Sequence, residues 1–581
     1  MSSLHSGVQQ ASRIQNPSGT VRRAVGPRPP DAETVKRRIE AFAKQHAPKE
    51  EISEKLLLQS EMGYMRGLMS AGRRTVDVTY PVNPPYSFIN IRFDEDAGEF
   101  QYQVKEPSLR PGELDIIQDV KEKMEAQTDQ EELPVVDLGN LSESPEMQKY
   151  LRRKFDEVVD LYDLDVPARR QRTLFYYLQR ELVGLGKADA VLRDPFIEDV
   201  SCNGHGVPLY VFHRVFGSMK TSVLYESELE LNRYILKLAQ TAGKHVSIYQ
   251  PILDATLQDG SRINLTLGTE VTRKGSTFSI RKFQQDPISP IDLIQLGSMS
   301  AHQCAYLWSL IEAKRSILVS GGTASGKTTL LNALGMFIRP EDKIVSIEDT
   351  PEVHLSHTNW IQSVSRAGYG IGGGGSGGDA GAISLFDLLV AALRQRPEYV
   401  LVGEVRGKEA STLFQAISTG HAAMATIHAA SFEELLNRIE NDPMNIPRAL
   451  IEALDTVIFP GQVIANGNRA RRLRLVTEVI EMDPASKNMI TNDVFAWRPE
   501  KDDIRYLGRS FVLERIGKAQ GRSIDQVTAE VERKAAYLKM MQDAGINYFK
   551  DVTKQINAYY LDPDHAVEQL AAKLPTPPGG F

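Results

Sequence analysis

The stretch that most constrains how this chain folds is residues 320–329, which read Ser-Gly-Gly-Thr-Ala-Ser-Gly-Lys-Thr-Thr. They fit the pattern G-x-x-x-x-G-K-[ST] of a phosphate-binding loop. Residues 316–319 form a short apolar run suited to a buried strand, and residues 329–334 open a helix. Strand, glycine loop and helix in this order let successive backbone N–H groups close around a phosphate at a helix N-terminus. The sequence therefore predicts a nucleotide phosphate site.

The predicted phosphate contacts come from consecutive residues of this loop: Gly321, Gly322, Thr323, Ala324, Ser325, Gly326, Lys327, Thr328 and Thr329. Lys327 can reach the β- and γ-phosphates, and the hydroxyl of Thr328 can hold Mg²⁺. The alternative is a glycine turn followed by a surface lysine. The flanking strand and helix favour the phosphate loop over that alternative.

Length and composition bound the remaining possibilities. With 581 residues, of which 41% are hydrophobic and 25% charged, the chain is expected to form three or four globular domains. No window approaches the roughly 18 consecutive apolar residues that span a bilayer, and residues 1–20 lack the apolar centre of a signal peptide. We therefore expect a cytoplasmic protein. The net charge of -7 shows no chain-wide basic surface for nucleic acid, although a local groove would not change that average.

We predict an α/β fold in five parts. They are a disordered basic tail (1–50), an N-terminal α+β or helical domain (51–185), a small α+β domain (186–286), a P-loop core with a mostly parallel sheet (287–500) and a helical C-terminal region (501–581). Electrostatic attachment to an anionic membrane or an acidic partner is the functional alternative for the tail. The glycine-dense run 368–381 is predicted to be a flexible loop and the end after residue 574 to be frayed.

Local patterns predict the elements of these parts. Apolar and polar residues alternate across 89–93 and 100–104, which is typical of a hairpin. After the P-loop, strand-like runs separated by helical patterns occur at 344–347, 399–402, 424–427 and 456–459. Helix starts are indicated by serines with a polar partner three residues on, namely Ser384 with Asp387 and Ser523 with Gln526.

Two of the predicted core strands run directly into acid, at Glu348 and at Glu404. Ligands of open α/β sheets bind at the carboxyl ends of strands, so both acids are expected to face the phosphate loop. Carboxylates there can hold the metal's water shell and orient an attacking water. A solvated acid after a strand is the alternative for either one alone.

Two histidines, His421 and His428, flank another short strand within residues 419–429. No cysteine or acid lies at ligand spacing from them, and Cys202 and Cys304 are isolated, so zinc is not expected. Contact of an imidazole with the γ-phosphate is the functional interpretation, and a satisfied core histidine is the structural one.

In their order along the chain, these motifs resemble those of the type II/IV secretion ATPase superfamily. The P-loop is followed by residues 346–350 as the Asp box, 403–406 as the Walker B motif and 419–429 as the His box. The similarity covers about Tyr80 to Asp562. Archaeal members are the most similar, because of the segments 80–85, 106–109 and 392–397.

The resemblance implies a RecA-like core that uses ATP and Mg²⁺. It makes Glu348 the general base, although Glu404 competes for that role, and it has Glu404 hold Mg²⁺ through water. It gives His428 the role of γ-phosphate sensor and His421 that of a weaker contact. Two arginines of the preceding domain, Arg262 and Arg281, match those that the family directs at a nucleotide, and they are expected to act across a subunit boundary.

At the level of the whole protein, the resemblance implies a motor at the cytoplasmic face of the membrane. Such a motor is a homo-hexamer that works with a polytopic membrane platform protein. It powers a type IV pilus-like filament, a type II/IV secretion machine or an archaellum. The alternatives are a hexameric nucleic-acid translocase or helicase, which the acidic composition disfavours, and a scaffold that binds ATP without hydrolysing it, which the paired acids disfavour.

Overall fold

The computed structural model describes residues 64–65, 67–69, 72–127, 134, 144–283, 286–366, 381–465 and 468–574. The predictions for the basic tail, for residues 368–380 of the glycine-dense run and for the end after residue 574 lie outside these residues. Among the helices in the described part of the chain, none has the length and apolar character needed to cross a membrane.

The chain divides into two compact units. The first comprises Met1–Val135, Ser142–Ile197 and Gly206–Tyr225, and the second comprises Val136–Leu141, Glu198–His205 and Glu226–Phe581. The five-part division predicted above stays a prediction.

The strands that precede residue 282 are β1 (Asp77–Asn83), β2 (Ser87–Asp94), β3 (Glu99–Lys105), β4 (Ile197–Cys202), β5 (Pro208–His213), β6 (Gly217–Leu224), β7 (Ile252–Thr256), β8 (Arg262–Thr266) and β9 (Thr277–Arg281). The helices of this part are α1 (Glu113–Gln127), α2 (Pro145–Leu161), α3 (Gln171–Leu182), α4 (Asp189–Arg193) and α5 (Glu228–Thr241).

In the first unit the sheet order is β1-β2-β3-β6-β5, with β3 and β6 parallel. The predicted hairpin is confirmed as β2 and β3, in which Ile91 pairs with Tyr102 and both are fully buried. The side chain of Asp94 closes the turn by accepting hydrogen bonds from the backbone N–H groups of Asp96 and Ala97. In the second unit, β4 from Glu198 onward, β9, β8 and β7 pair antiparallel in that order.

The remaining strands all lie in the second unit: β10 (Ile317–Ser320), β11 (Ile344–Glu348), β12 (Trp360–Val364), β13 (Tyr399–Val405), β14 (Ala422–Ile427), β15 (Thr456–Ala465), β16 (Asn468–Met482), β17 (Met489–Arg498) and β18 (Asp503–Tyr506). The helices are α6 (Pro290–Gln295), α7 (Ala301–Glu312), α8 (Lys327–Gly335), α9 (Leu385–Arg394), α10 (Glu409–Ser418), α11 (Phe432–Glu440), α12 (Arg448–Ile451), α13 (Phe511–Gln520), α14 (Ile524–Asp543), α15 (Phe549–Leu561) and α16 (Pro563–Ala571).

These strands form one sheet in the order β12-β11-β13-β14-β10-β15-β16-β17-β18. From β12 to β15 every neighbouring pair is parallel, and from β15 to β18 every pair is antiparallel. The four strand-like runs predicted after the P-loop are confirmed as β11, β13, β14 and β15. All residues of β10, β11 and β14 are buried, as expected for parallel strands covered on both faces.

The predicted helix starts are also confirmed. Ser384 with Asp387 and Ser523 with Gln526 form capping boxes, in which each side chain bonds the other residue's backbone N–H. In the C-terminal region, predicted to be helical, helices α13 to α16 follow the four-residue strand β18. This strand forms by pairing with the end of β17, where Ile504 lies opposite Trp497 and Tyr506 lies opposite Phe495.

Candidate nucleotide-binding site

The phosphate loop connects β10 to α8, as the sequence predicts. A Cβ on Gly321 would lie 2.6 Å from Ser325 Oγ and 2.8 Å from the carbonyl oxygen of Pro460, so only glycine fits there. Gly326 has φ +89°, a left-handed conformation that glycine adopts readily, and α8 begins at the next residue. The loop is thus folded tightly enough to aim its N–H groups at an anion.

Hydrogen bonds tie this loop to the end of β14. The backbone N–H of Gly321 donates to the carbonyl of Ile427 at 3.2 Å, and the Ser320 hydroxyl donates to the carbonyl of Ala429 at 2.7 Å. His428 lies between these two anchor points and is half-buried. The structure therefore brings His428 to the phosphate loop.

Lys327 lies at the N-terminus of α8 with its ammonium over the loop. Its Nζ donates to the carbonyls of Gly321 at 3.0 Å and Gly322 at 3.1 Å. Burial lowers the pKa of Lys327, and the nearby carboxylate of Glu404 acts in the opposite direction. The loop follows the end of β10, and both that end and the end of β13 pair with Ile427 of β14, so Lys327 and Glu404 lie at the same edge of the sheet.

Glu348 ends β11 and is 2% exposed. Its Oε1 accepts hydrogen bonds from the backbone N–H groups of Glu352 and Val353, both at 2.9 Å. Burial raises the pKa of Glu348, although these hydrogen bonds oppose the rise. A Cβ on Gly403 would lie 3.0 Å from Glu348 Cγ, so the glycine of β13 leaves room for this side chain. Glu348 is a fixed carboxylate between two strand ends.

Glu404 is the more accessible of the two predicted acids. Its Oε2 accepts a hydrogen bond from Nη2 of Arg406. Burial acts to raise the pKa of Glu404, but the hydrogen bond and charge of Arg406, together with Lys327 and His428, outweigh it and hold the pKa below its usual value. An ionised, half-buried carboxylate beside the loop is suited to a cation.

Glu352 is an acid of the site that the sequence reasoning missed. Its Oε1 lies 3.2 Å from Nη2 of Arg262, and its side chain is 36% exposed. Its charge also acts on Lys327 and on Arg281. Glu352 follows Glu348 by four residues, in a loop that folds back to the strand end. The sequence reasoning considered only acids at the strand end itself.

The two predicted arginines are neighbours on adjacent strands. Arg262 of β8 and Arg281 of β9 are directly opposite each other in the sheet. Arg262 reaches Glu352 of its own chain, whereas Arg281 donates to Asp199 at 2.9 Å and is 67% exposed. The structure therefore places Arg262 at the carboxylates and leaves Arg281 at the rim.

His421 is not brought to the loop. It precedes β14, whereas the phosphate loop lies at the other end of that strand, beside Ile427. Six residues at about 3.3 Å each put the two ends roughly 20 Å apart. The sequence did not reveal this, because the His box of residues 419–429 runs along the whole of β14 and only its second end meets the loop. Within one chain, His421 and the phosphate loop therefore lie at opposite ends of β14.

The loop fits a nucleotide's phosphates by its own chemistry. Ser325 is 4% exposed, and its hydroxyl has no hydrogen-bond partner in the described part of the chain. The remaining predicted contacts lie in the loop and in the first turn of α8, where Thr323 is exposed and Thr328 and Thr329 are half-buried. A metal would find the Thr328 hydroxyl and the Glu404 carboxylate as oxygen ligands, the donor type that Mg²⁺ prefers.

Comparison with known proteins agrees with these motifs. The family model described as "Type II/IV secretion system protein" matches residues 213–557. The uncharacterized protein MJ0900 of Methanocaldococcus jannaschii is 36% identical over 510 residues, which are 83% of this chain and 89% of that protein. The "Probable conjugal transfer protein TrbB" of Sinorhizobium fredii is 32% identical over 253 residues, or 42% of this chain and 71% of that protein.

Two solved structures with some similarity to this chain are those of a pilus retraction motor and of a secretion-system ATPase. A pilus retraction motor PilT with bound ADP is 17% identical, with a TM-score of 0.34 over 66% of this chain and 94% of that one. The VirB11 ATPase from the Brucella suis type IV secretion system is 23% identical, with a TM-score of 0.25 over 49% of this chain and 89% of that one. These structural likenesses are slight, and the family assignment rests on the sequence matches.

Proposed function

Because the chain belongs to the type II/IV secretion system protein family, we propose that it hydrolyses Mg-ATP to power a filament or a secretion machine. The observation that carries this proposal is strand register, which brings the phosphate loop with Lys327 and the strand ends with Glu404 and Glu348 to one edge of the sheet. Hydrolysis needs a loop that binds the phosphates and a cation that offsets their charge. It also needs acids that hold the metal and orient the attacking water.

Phosphate binding follows from the loop and Lys327. The ammonium is held by two carbonyls of the loop, and phosphate oxygens are stronger acceptors because they are charged. Lys327 would therefore turn toward the β- and γ-phosphates. Bound Mg²⁺ supplies neutralisation of the phosphate charge. Thr328 through its hydroxyl and Glu404 through a water would hold that ion, and the lowered pKa of Glu404 keeps it ionised.

Two acids compete for removal of a proton from the attacking water. Glu348 has a raised pKa, which suits a general base near neutral pH, but both of its oxygens already accept hydrogen bonds: Oε1 from the backbone and Oε2 from Gln362 at 3.4 Å. Glu352 has an accessible carboxylate next to Arg262. We keep Glu348 as the proposed base and add Glu352 as the rival that the geometry introduces.

The cations around these acids would stabilise the charge that develops on the transferred phosphoryl group. Arg262 contacts Glu352, and Arg281 lies beside it across the strand pair. His428, next to the loop, would sense the γ-phosphate. His421 lies at the far end of β14, so we propose no contact for it with the nucleotide of its own chain.

At the level of the machine, the proposal is a homo-hexamer at the cytoplasmic face of a membrane, docked to a polytopic platform protein. The filament is a type IV pilus, a secretion pseudopilus or an archaellum. The family assignment supports the class of machine. The choice among the three is left to the identity of the partner, which pull-down from membranes of the source organism followed by mass spectrometry would give.

Steady-state ATP turnover tests the function. Wild-type protein should release phosphate in a Mg²⁺-dependent reaction, and Lys327→Ala should lose at least about a hundredfold because it removes a charge aimed at the developing phosphate charge. Lys343→Ala is the matched control. Lys343 directly precedes β11, at the end of the strand opposite Glu348, and its ammonium donates to the carbonyl of Gln395. Absence of turnover in wild type would contradict the proposal, and stimulation by single-stranded DNA would favour the helicase alternative.

A further inference from the structure

The hairpin of β15 and β16 runs along the phosphate loop. The carbonyl of Pro460 approaches Gly321 closely, as described above. Two side chains of the hairpin, Gln462 Nε2 and Arg471 Nε, donate to the carbonyl of Ala324, both at 3.1 Å. Gln462 and Arg471 face each other across the strand pair, so the two donors leave the hairpin on one face.

The acceptor of both bonds is an unusual residue. Ala324 has φ +57°, a left-handed conformation that is unfavourable for a residue with a Cβ. Two side-chain donors on its carbonyl help to hold it there. One of them, Gln462, is neutral and would serve this purpose alone.

Arg471 carries more donors than this bond uses. Its side chain is exposed, and only Nε has a hydrogen-bond partner within the described residues. Its Cδ lies 3.5 Å from the position that a Cβ on Gly326 would occupy, so the guanidinium borders the last residue before Lys327. The next arginine, Arg472, is instead paired with Asp502 at 2.8 Å. No acid pairs with Arg471 among the ion pairs of the described chain.

We propose that Arg471 binds the phosphate chain of the nucleotide. The inference rests on the proposed function, because it adds a binding residue to the same site. Guanidinium groups recognise phosphate oxygens through two parallel N–H donors, and the two Nη groups of Arg471 supply such a fork at the edge of the loop. Nε keeps its bond to Ala324, which fixes the orientation of the fork.

The test is the affinity for Mg-ADP and Mg-ATP, measured by titration calorimetry on the full chain. Hydrogen bonds to charged groups contribute about 1.5–3 kcal/mol, so Arg471→Gln should weaken binding about tenfold or more. Arg471→Lys keeps the charge without the fork and should recover part of the loss. Arg505→Gln, at an exposed arginine on β18 of the same sheet, is the control and should bind as wild type does.

Gln462→Ala separates binding from loop support, because it removes the other donor to Ala324 without changing the charge. Equal losses in Arg471→Gln and Gln462→Ala would mean that both only support the loop, which overturns the inference. Normal binding by Arg471→Gln, with binding lost in Lys327→Ala, would overturn it while leaving the proposed function intact. Absence of binding in wild type would overturn both. Thermal unfolding shows whether Arg471→Gln folds. If it does not, Arg471→Lys takes its place, and wild-type affinity of Arg471→Lys for both nucleotides would contradict phosphate binding by the guanidinium fork.

Discussion

The carboxylates of Asp194 in the first unit and of Glu404 in the second stand in different surroundings. Asp194 is fully buried and accepts hydrogen bonds from the hydroxyls of Tyr80 and Tyr102, both at 2.7 Å, and from the backbone N–H of Phe196 at 2.8 Å. Its partners in these bonds are neutral groups that the fold supplies. Such a network, satisfied from within, specifies packing.

Glu404 is half-buried, and charged groups surround it. Arg406 bonds it, and Lys327 and His428 act on it through their charges. These groups border the phosphate loop, which leads into the N-terminus of α8, a position that favours a bound anion. The difference teaches that burial of an acid alone does not mark a site; accessible charges of both signs beside a backbone cradle do.

The arginine pair offers the largest expected effect on the second region. Replacing both Arg262 and Arg281 by alanine should lower turnover by about 10³-fold or more, since arginines supplied to a transferred phosphoryl group contribute 10³ to 10⁵ in GTPases. If they act across a subunit boundary, mixing this inactive variant with Lys327→Ala should restore part of the activity in mixed rings. No recovery in rings shown to be mixed would mean that the arginines act within one chain, as the contact of Arg262 with Glu352 suggests, or not at all.

The rival bases give the next largest effect. Glu348→Gln and Glu352→Gln should both bind Mg-ATP, and the one that removes the base should lower turnover by about 10²- to 10⁴-fold. Single-turnover hydrolysis of bound ATP measures the chemical step directly. A larger loss in Glu352→Gln would transfer the role of base to that residue, and Glu348 would then act by holding the loop at Glu352 and Val353.

The cluster around Asp194 should respond to pH instead. Burial, with the charge of Arg214 in support, lowers the pKa of His213 to about 3. His213 Nδ1 accepts from the backbone N–H of Val215, and Nε2 faces the Tyr80 hydroxyl at 3.4 Å, so the neutral ring is the one that fits. An unfolded histidine titrates near 6.5. The contribution of His213 to stability is therefore fully present above about pH 6.5 and is lost as the pH falls toward 3.

The expected slope between those values is about 1.4 kcal/mol of unfolding free energy per pH unit from this residue. Denaturant unfolding at several pH values measures it. His213→Gln should remove that share of the slope, and the comparison with wild type cancels the contribution of all other groups. Identical slopes in the two proteins would show that folding does not lower the pKa of His213.

The sequence predicted much of this fold because local signals agreed with tertiary ones. The phosphate loop, the strands that carry Glu348 and Glu404 at their carboxyl ends, and the helix starts at Ser384 and Ser523 all lie where predicted. Each depends on residues within a few positions of one another. The period of the pattern and the capping residues were therefore sufficient.

What the sequence did not reveal depends on contacts between distant segments. Arg471 reaches Ala324, 147 positions earlier, because the β15–β16 hairpin pairs with β10, the strand that leads into the loop. Glu352 lies beside Glu348 because its loop folds back onto that strand end, and His421 lies away from the phosphate loop because the length of β14 separates them. The local composition does not indicate that the loop at Glu352 folds back onto Glu348, or which end of β14 meets the phosphate loop.

One paired measurement tests the central claim, which is that the charges at the phosphate loop serve a ligand whereas those at Asp194 serve the fold. ATP turnover and the free energy of unfolding are measured for Lys327→Ala and Asp194→Ala. We predict that Lys327→Ala loses at least about a hundredfold in turnover and keeps its stability within about 1 kcal/mol. Asp194→Ala should lose about 3 kcal/mol of stability, because two buried hydroxyls lose their acceptor, and should keep its turnover per folded molecule. Wild-type turnover in Lys327→Ala, or loss of turnover in folded Asp194→Ala with normal stability, would contradict the account.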